Sequence, residues 1–201
     1  MIGGLFPDEL PPGLVYVRDW LSVADQNEIV QEIDAQPFGA QIARRVQHYG
    51  YRYDYFEASV QASGSAPPIP PKMQVLAARL VDDGHFVDVP NQVIVNEYQK
   101  DQGIGAHIDR VSFGPEVATV SLLEAWPMTF RSREGLEMDV LLEVGSLAVM
   151  TGLTRYEWTH QIKPRKFDAH TGIKVERVRR LSLTFRTVAN LSDGDLSQRT
   201  A

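Results

Sequence analysis

The spacing of apolar residues changes once along the chain, from a helical period to a strand period. Residues 22–36 carry apolar side chains at helical spacing behind Ser22, a residue type typical of helix N-caps. Residues 73–84 repeat this pattern and end at a glycine. From residue 91 onward apolar and polar residues alternate, as in β-strands. The pattern predicts two helices followed by a β-rich region.

The β-rich region divides into short runs separated by turn residues, and a further short strand, 14–20, precedes the first helix. The segment 57–72 has the composition of a loop. Many short strands at regular spacing predict a sandwich or barrel, so the expected fold class is α+β, mainly β, with the helices as support. The predicted strands after residue 91 are 91–99, 118–126, 127–132, 137–144, 145–151, 156–162 and 179–188.

The length of 201 residues suits one domain. We expect an N-terminal arm over 1–12, the folded domain over 13–189 and a flexible polar tail over 190–201. No apolar run reaches the ~18 residues that cross a bilayer, and no leader pattern begins the chain. The lack of cysteine excludes disulfides and thiolate chemistry. The expectation is a cytoplasmic, intracellular monomer without membrane association.

Charge is distributed unevenly along the chain. The net charge of −6 argues against a generic nucleic-acid binder. Residues 155–186 nevertheless carry nine Lys or Arg against three acidic residues. Such a stretch either faces phosphates or forms a solvated charged loop, and both interpretations stay open.

The last predicted strand presents two different faces. Leu181, Leu183 and Phe185 fall on one face, whereas Arg180 and Arg186 share the other with small polar residues. If the strand lies inside a sandwich, its polar face looks into a cavity, where two arginines need anionic partners. The alternative is a solvent-exposed face.

A candidate metal site follows from the histidines and one aspartate. His107 and Asp109 lie two apart, and His160 falls in another short β-type run. Two histidines and a carboxylate are the ligands of non-haem Fe(II) oxygenases, whose open positions accept a co-substrate and dioxygen. Zinc hydrolases use the same ligands. The nearby arginines and the same-face pair Asn96 and Tyr98 favour iron.

Taken together, these segments resemble the AlkB family of Fe(II)- and 2-oxoglutarate-dependent dioxygenases. The family pattern is Asn-x-Tyr, His-x-Asp, a distal His, and an Arg followed six residues later by a second Arg. The likeness spans residues 12–188 and implies a double-stranded β-helix fold of the jelly-roll type. The segments that carry it are NEYQKDQGIGAHID (96–109), GSLAVMTGLTRYEWTHQI (145–162), RRLSLTFR (179–186) and, upstream, ARRVQHYGYRYDY (43–55).

The resemblance implies specific roles for these residues. Arg180 would bind the far carboxylate of 2-oxoglutarate with help from Tyr98, while Asn96 and Arg186 would lie near its other end and the metal-bound aspartate. Dioxygen would convert the co-substrate to succinate and carbon dioxide while a C–H bond is hydroxylated. The implied iron ligands, and catalytic residues, are His107, Asp109 and His160.

The resemblance also bears on the substrate. The expected activity is oxidative demethylation or hydroxylation of a modified base in nucleic acid, RNA or DNA. The chain is most similar to the branch that eukaryotes fuse to a tRNA methyltransferase, so hydroxylation of a modified wobble uridine is an alternative. A methylated protein or small molecule is a further alternative. A non-catalytic jelly-roll binding module is disfavoured, because every motif position is present.

Alternating tyrosines are the first candidates for substrate contact. Tyr49, Tyr51, Tyr53 and Tyr55 would share one face of an extended segment and offer bases a stacking platform. They would otherwise pack against the edge of the sandwich. Three residues just before them, Arg44, Arg45 and His48, are candidates for phosphate or base contact.

Two further residues near His160 are substrate candidates. Trp158 would line the pocket or pack in the core beside the metal. Arg155 would order the substrate pocket or form a surface salt bridge. Lys163, Arg165 and Lys166 are the phosphate candidates by charge density.

Overall fold

The computed structural model describes residues 10–40, 42–57, 59–61, 66–170 and 173–188. Most of the expected arm and all of the expected tail lie outside these residues. The helices are α1 (Val23–Asp34), α2 (Pro71–Asp82) and α3 (Gly152–Tyr156). The strands are β1 (Leu14–Val17), β2 (Arg45–Tyr49), β3 (Tyr53–Asp54), β4 (Ser59–Val60), β5 (Gln92–Tyr98), β6 (Ile104–His107), β7 (Phe113–Leu122), β8 (Trp126–Arg131), β9 (Glu137–Leu142), β10 (Leu147–Met150), β11 (Thr159–Ile162), β12 (Phe167–His170), β13 (Ile173–Glu176) and β14 (Arg180–Val188).

Two antiparallel sheets form the body of the domain. The major sheet has the strand order β1-β10-β7-β14-β5-β2, and the minor sheet has the order β6-β11-β8-β9. Two short hairpins, β3-β4 and β12-β13, lie outside these sheets. The mainly-β α+β fold and the jelly-roll arrangement predicted from the sequence are confirmed.

The two long helices cover the outer face of the major sheet. Ser22 caps α1, its hydroxyl accepting a hydrogen bond from the Asp25 amide at 3.2 Å. Ile29 and Ile33 of α1, with Leu80 of α2, belong to the core that this layer forms on the sheet. No helix of the described residues is long and apolar enough to cross a membrane.

The alternation of β14 places its polar face between the sheets. Leu181, Leu183 and Phe185 are fully buried in the core under the helices. Ser182 and Arg186 instead line a cavity on the opposite face of the sheet. The interpretation of this strand as two-faced is therefore correct, and its polar face is not open to solvent.

The structure differs from the predicted elements at several places, including five short strands that were not predicted, namely β3, β4, β6, β12 and β13. The predicted strand 156–162 begins only at Thr159, because α3 occupies the residues before it. β2 is an additional strand, which pairs with β5 at the edge of the major sheet. Short or charged segments of this kind show little periodicity, so tertiary pairing decides their structure.

Candidate active site

Three candidate metal ligands converge where β6 and β11 pair. His107 lies opposite His160 in the register of these strands, and Asp109 follows two residues after His107. One ligand atom from each side chain lies within 4.8 Å of the others. The His160 Nε2 and Asp109 Oδ2 atoms are 3.6 Å apart. The His107 Nδ1 lies 2.8 Å from the Gly105 carbonyl, so an N–H there leaves Nε2 free as a ligand.

The protonation of these side chains suits a metal ion. Burial lowers the pKa of His160 to about 3, so its imidazole is neutral near neutral pH. Burial opposes ionisation of Asp109, but the charge of Arg186, followed by His160 and His107, outweighs it and lowers the Asp109 pKa. Neutral imidazole and ionised carboxylate are the forms that bind metals.

An orphaned oxygen provides a direct test of whether iron fits. Asp109 Oδ2 is buried and has no hydrogen-bond partner among the described residues, whereas Oδ1 lies 2.5 Å from Arg186 Nη2. Burying a carboxylate oxygen without a partner costs free energy unless a cation binds to it. The two histidines and Oδ2 therefore fit Fe(II), and Arg186 fixes the other half of the carboxylate.

A cavity of about 570 Å³ opens beside the candidate ligands, between the two sheets. Its wall includes the three ligands, Asn96 and Tyr98 of β5, and Arg186 of β14. This volume is within the range of small-molecule sites in proteins. The register explains the convergence, because Asn96 faces Ser182 and Tyr98 faces Arg180 across the β5–β14 pair.

Arg180 is fully buried beside Tyr98 and is not among the residues that line the cavity. Its Nη2 donates to Ser121 Oγ at 2.8 Å, and its guanidinium carbon lies 5.5 Å from the Tyr98 ring centroid. Nε and Nη1 have no hydrogen-bond partner among the described residues. Burial lowers the Arg180 pKa to about 10, so the side chain remains a cation. A buried, incompletely paired cation fits the carboxylate of a co-substrate.

The structure separates the predicted tyrosine platform. Tyr53 lines the cavity, whereas Tyr49 is buried in the core and its hydroxyl donates to Gln47 Oε1 at 3.0 Å. Gly50, with φ of +76°, ends β2 between them, so the segment is not one strand. Tyr51 does not line the cavity either. The prediction that four alternating tyrosines share a substrate face is therefore wrong for Tyr49 and Tyr51, whereas Tyr53 and Tyr55 both line the cavity.

Arg45 and Trp158 also lie away from the cavity. Arg45 is on the edge strand β2 and donates to the fully buried Glu97, with Nη2–Oε1 at 2.9 Å. Alternation of side chains directs Arg45 and Glu97 to the face opposite Asn96. Trp158 is buried in the apolar core between the sheets, together with Trp126. The structure therefore supports substrate contact for neither Arg45 nor Trp158. Of the two positions predicted for Trp158, packing in the core is the correct one.

Arg155 is buried beneath the segment that carries Asp109 and does not form a surface salt bridge. Its guanidinium donates to the carbonyl oxygens of Asp109 and Arg110, both at 2.7 Å. It also donates to those of Phe113 and Gly114, at 3.3 and 3.2 Å. It does not line the cavity. Arg155 is therefore a positioning residue for the metal-binding segment, and of the two alternatives predicted for it the surface salt bridge is wrong.

We expect Arg155→Met to weaken iron binding about 10- to 100-fold, the range for partners that orient metal ligands. The change removes all four hydrogen bonds to the Asp109 segment. Arg155→Lys is expected to restore little, because an ammonium cannot reproduce the planar donor fork. Titration of Fe(II) into the apo protein, monitored by thermal unfolding, measures the effect. Arg133→Met, at an exposed site, is the control, and unchanged iron affinity in Arg155→Met would contradict the assignment.

Four further cavity residues complete the substrate side. They are Arg44, Tyr55, Arg110 and Phe113. Arg110 and Phe113 directly follow the His-x-Asp motif, so their position in sequence was an available signal. Arg44 and Tyr55, by contrast, were already candidates from the 43–55 segment, and both line the cavity.

The basic stretch 155–186 is largely paired with acidic side chains. Lys163 lies 3.6 Å from Glu137, and Lys166 lies 3.9 Å from Asp101. Arg165 lies 3.4 Å from the buried Asp168. These surface pairs are weak and exchange readily for other anions. The stretch therefore remains a predicted phosphate contact, with a smaller net positive field than its sequence indicates.

A jelly-roll core, two histidines and a carboxylate around open positions, and an adjoining cationic cavity define a mononuclear iron oxygenase. The chain belongs to the 2OG-Fe(II) oxygenase superfamily, whose family model matches residues 13–186, and within that superfamily it is AlkB-like. The resemblance inferred from the sequence is confirmed. The protein is thus a dioxygenase that uses Fe(II) and 2-oxoglutarate.

Individual relatives differ in how much of their length is shared. The chain is 35% identical over 170 residues to the Mus musculus tRNA (carboxymethyluridine(34)-5-O)-methyltransferase ALKBH8, which covers 80% of this chain and 26% of that protein. It thus spans about a quarter of the length of that relative. An Arabidopsis thaliana "alkylated DNA repair protein ALKBH8 homolog" is 28% identical, over 89% of this chain and 59% of that protein. The solved structure of OsALKBH1 shares the fold, with a TM-score of 0.69 at 19% identity, covering 90% of this chain and 99% of that one.

Proposed function

We propose that the protein hydroxylates a modified wobble uridine in tRNA. The observation that carries this proposal is the charge of the cavity. Arg44, Arg110 and Arg186 line it, and the sole acidic residue in its described wall is Asp109, a metal ligand already paired with Arg186. Iron offsets the charge of this carboxylate, and 2-oxoglutarate is a dianion that Arg180 and Arg186 suit. The remaining substrate side is therefore positive.

A positive pocket distinguishes between the nucleic-acid substrates that the sequence left open. N-methylated adenine and cytosine of the alkylation-damage type carry a positive charge, which Arg44 and Arg110 would repel. Uridine is neutral, and a carboxymethyl substituent on it is anionic or, as an ester, rich in acceptor oxygens. The wobble-uridine alternative is thus favoured over the primary expectation, base demethylation. The similarity to a tRNA carboxymethyluridine methyltransferase over 80% of the chain supports the same choice.

The described side chains suggest how each part of the reaction would be organised. When bound, iron and 2-oxoglutarate supply the oxidising chemistry, with dioxygen as oxidant. Arg186 would orient Asp109, and Asn96 and Arg180 would orient the co-substrate. Tyr53 and Phe113, whose ring centroids are 5.9 Å apart, would provide an apolar surface for the base.

We expect the protein with Fe(II), 2-oxoglutarate and ascorbate to add one oxygen atom to a 5-substituted wobble uridine in an anticodon stem-loop RNA. Mass spectrometry of the digested RNA, with succinate measured in parallel, tests this. Oligonucleotides with N-methylated adenine or cytosine form the second arm. If these oligonucleotides lose their methyl groups as formaldehyde while the wobble uridine gains no oxygen atom, the protein is instead a demethylase, as the name of the Arabidopsis relative suggests.

A further inference from the structure

Arg44 lies in the cavity wall, near two aromatic rings. Its guanidinium carbon lies 5.7 Å from the Tyr55 ring centroid and 5.9 Å from that of Tyr98. Its Nε donates to Asn96 Oδ1 at 2.7 Å. Its Nη groups make no hydrogen bond to the described residues, so both can donate to a ligand in the cavity that Arg44 lines. The hydrogen bond also turns the Asn96 amide so that its NH₂ group is free for another acceptor.

Tyr55 contributes a second unused donor to the same wall. Its hydroxyl is buried and has no hydrogen-bond partner among the described residues. The ring is held edge-on by Tyr53 and His48, with centroid distances of 5.2 and 5.6 Å. Burial raises the pKa of Tyr55, so the hydroxyl remains protonated and can donate. A buried hydroxyl without a partner is expected to meet one on the ligand.

We infer that Arg44 and Tyr55 form a clamp for the carboxyl or ester oxygens of a carboxymethyl group on the substrate uridine. This inference rests on the proposed function and deepens it by naming the residues that select the substituent. A planar guanidinium edge matches a planar carboxyl group, and the hydroxyl adds a donor at a second angle. Both side chains line the cavity, which a base substituent reaches more readily than a backbone phosphate does.

The clamp has a consequence for the co-substrate, because Arg44 also holds Asn96. A substituent that fixes Arg44 would fix the Asn96 amide as well. Substrate and 2-oxoglutarate would then favour each other's binding, and by linkage the enhancement is equal in both directions. A residue that contributed only to packing would not produce this coupling.

Three matched stem-loop RNAs test the clamp. They carry 5-carboxymethyluridine, its methyl ester or 5-methyluridine at the same position. Binding is measured anaerobically with Fe(II) and 2-oxoglutarate present, and turnover is measured separately in air. We expect Tyr55→Phe to weaken binding of both oxygen-bearing RNAs about 3- to 10-fold, and Arg44→Gln about 10- to 100-fold. Binding of the 5-methyluridine RNA is expected to change less than about 2-fold.

Control variants separate the clamp from general charge and packing. Tyr156→Phe and Arg133→Gln remove a hydroxyl and a cation outside the cavity and are expected to leave all three affinities unchanged. Arg44→Lys keeps the charge and is expected to recover only part of the preference. Equal losses for the three RNAs, or no loss, would overturn the clamp while the proposed function stands. Failure of the wild-type protein to oxidise any 5-substituted uridine would overturn both.

Discussion

Asp109→Ala is expected to lose at least 100-fold in iron affinity and to show no measurable turnover. Residues that only orient the metal ligands typically contribute 10- to 100-fold to metal affinity, and loss of a direct ligand is expected to reduce that affinity by more. The change removes the unpartnered Oδ2 that faces His160, and it also removes the anion that Arg186 contacts at 2.5 Å. Metal content per chain and succinate production measure the two losses directly.

The stability of the Asp109→Ala protein adds a separate readout. The apo protein loses a buried partner of Arg186, so its free energy of unfolding is expected to fall by a few kcal/mol. Fe(II) raises the melting temperature of the wild-type protein by mass action but is expected to have little effect on the variant. Asp82→Ala, at an exposed position on α2, is the control. Turnover or iron-dependent stabilisation retained in Asp109→Ala would contradict the ligand assignment.

Part of the metal site and its surroundings was predictable from local rules. The alternation of β14 placed Arg180 and Arg186 on one face, and the structure confirms this face as the polar one. The spacing of His107 and Asp109 is a short motif that is weak by itself. His160 was added because two histidines and a carboxylate form a known ligand set, and the family pattern supported this choice, since no local rule connects residues more than 50 positions apart in sequence.

The substrate side was harder to predict, for a physical reason. Two-residue alternation assumes a continuous strand, and Gly50 interrupts the 43–55 segment with a left-handed backbone. An added Cβ there would lie 2.0 Å from the Asn91 carbonyl oxygen, so the turn depends on glycine. After this turn Tyr53 and Tyr55 face the cavity, while Tyr49 stays in the core. The turn, which sequence periodicity does not report, decides which aromatic residues are available to a base.

Arg155 illustrates a second limit of sequence reasoning. The fact that residue 155 is an arginine does not indicate whether its side chain is exposed or buried, and fully buried arginines are uncommon. Its burial is possible because four backbone carbonyl oxygens of the segment after β6 accept hydrogen bonds from its guanidinium. The energy of this arrangement depends on the conformation of that segment. It becomes visible only when the fold is known.

Arg180→Met is expected to weaken 2-oxoglutarate binding by about 10²- to 10⁴-fold without destabilising the apo protein. Two charge-assisted hydrogen bonds to a carboxylate, at ~1.5–3 kcal/mol each, account for this range. The apo protein has no acidic partner for Arg180 among its described residues, and Nε and Nη1 are buried without acceptors. Replacing such a cation with an apolar side chain of similar length removes a desolvation cost, so the free energy of unfolding is expected to stay constant or rise. Co-substrate titration and thermal unfolding measure the two effects.

Arg177 provides the matched control, because it is equally buried but fully paired. Its Nε and Nη2 donate to Asp168 at 2.5 and 3.0 Å. Arg177→Met leaves Asp168 buried with only the more distant Arg165, and a loss of about 3 kcal/mol in stability is expected, with 2-oxoglutarate affinity unchanged. The two substitutions remove the same group three residues apart and are predicted to have opposite consequences. If Arg180→Met destabilised the apo protein and left co-substrate affinity intact, Arg180 would be structural, and the 2-oxoglutarate carboxylate would have to bind elsewhere in the cavity.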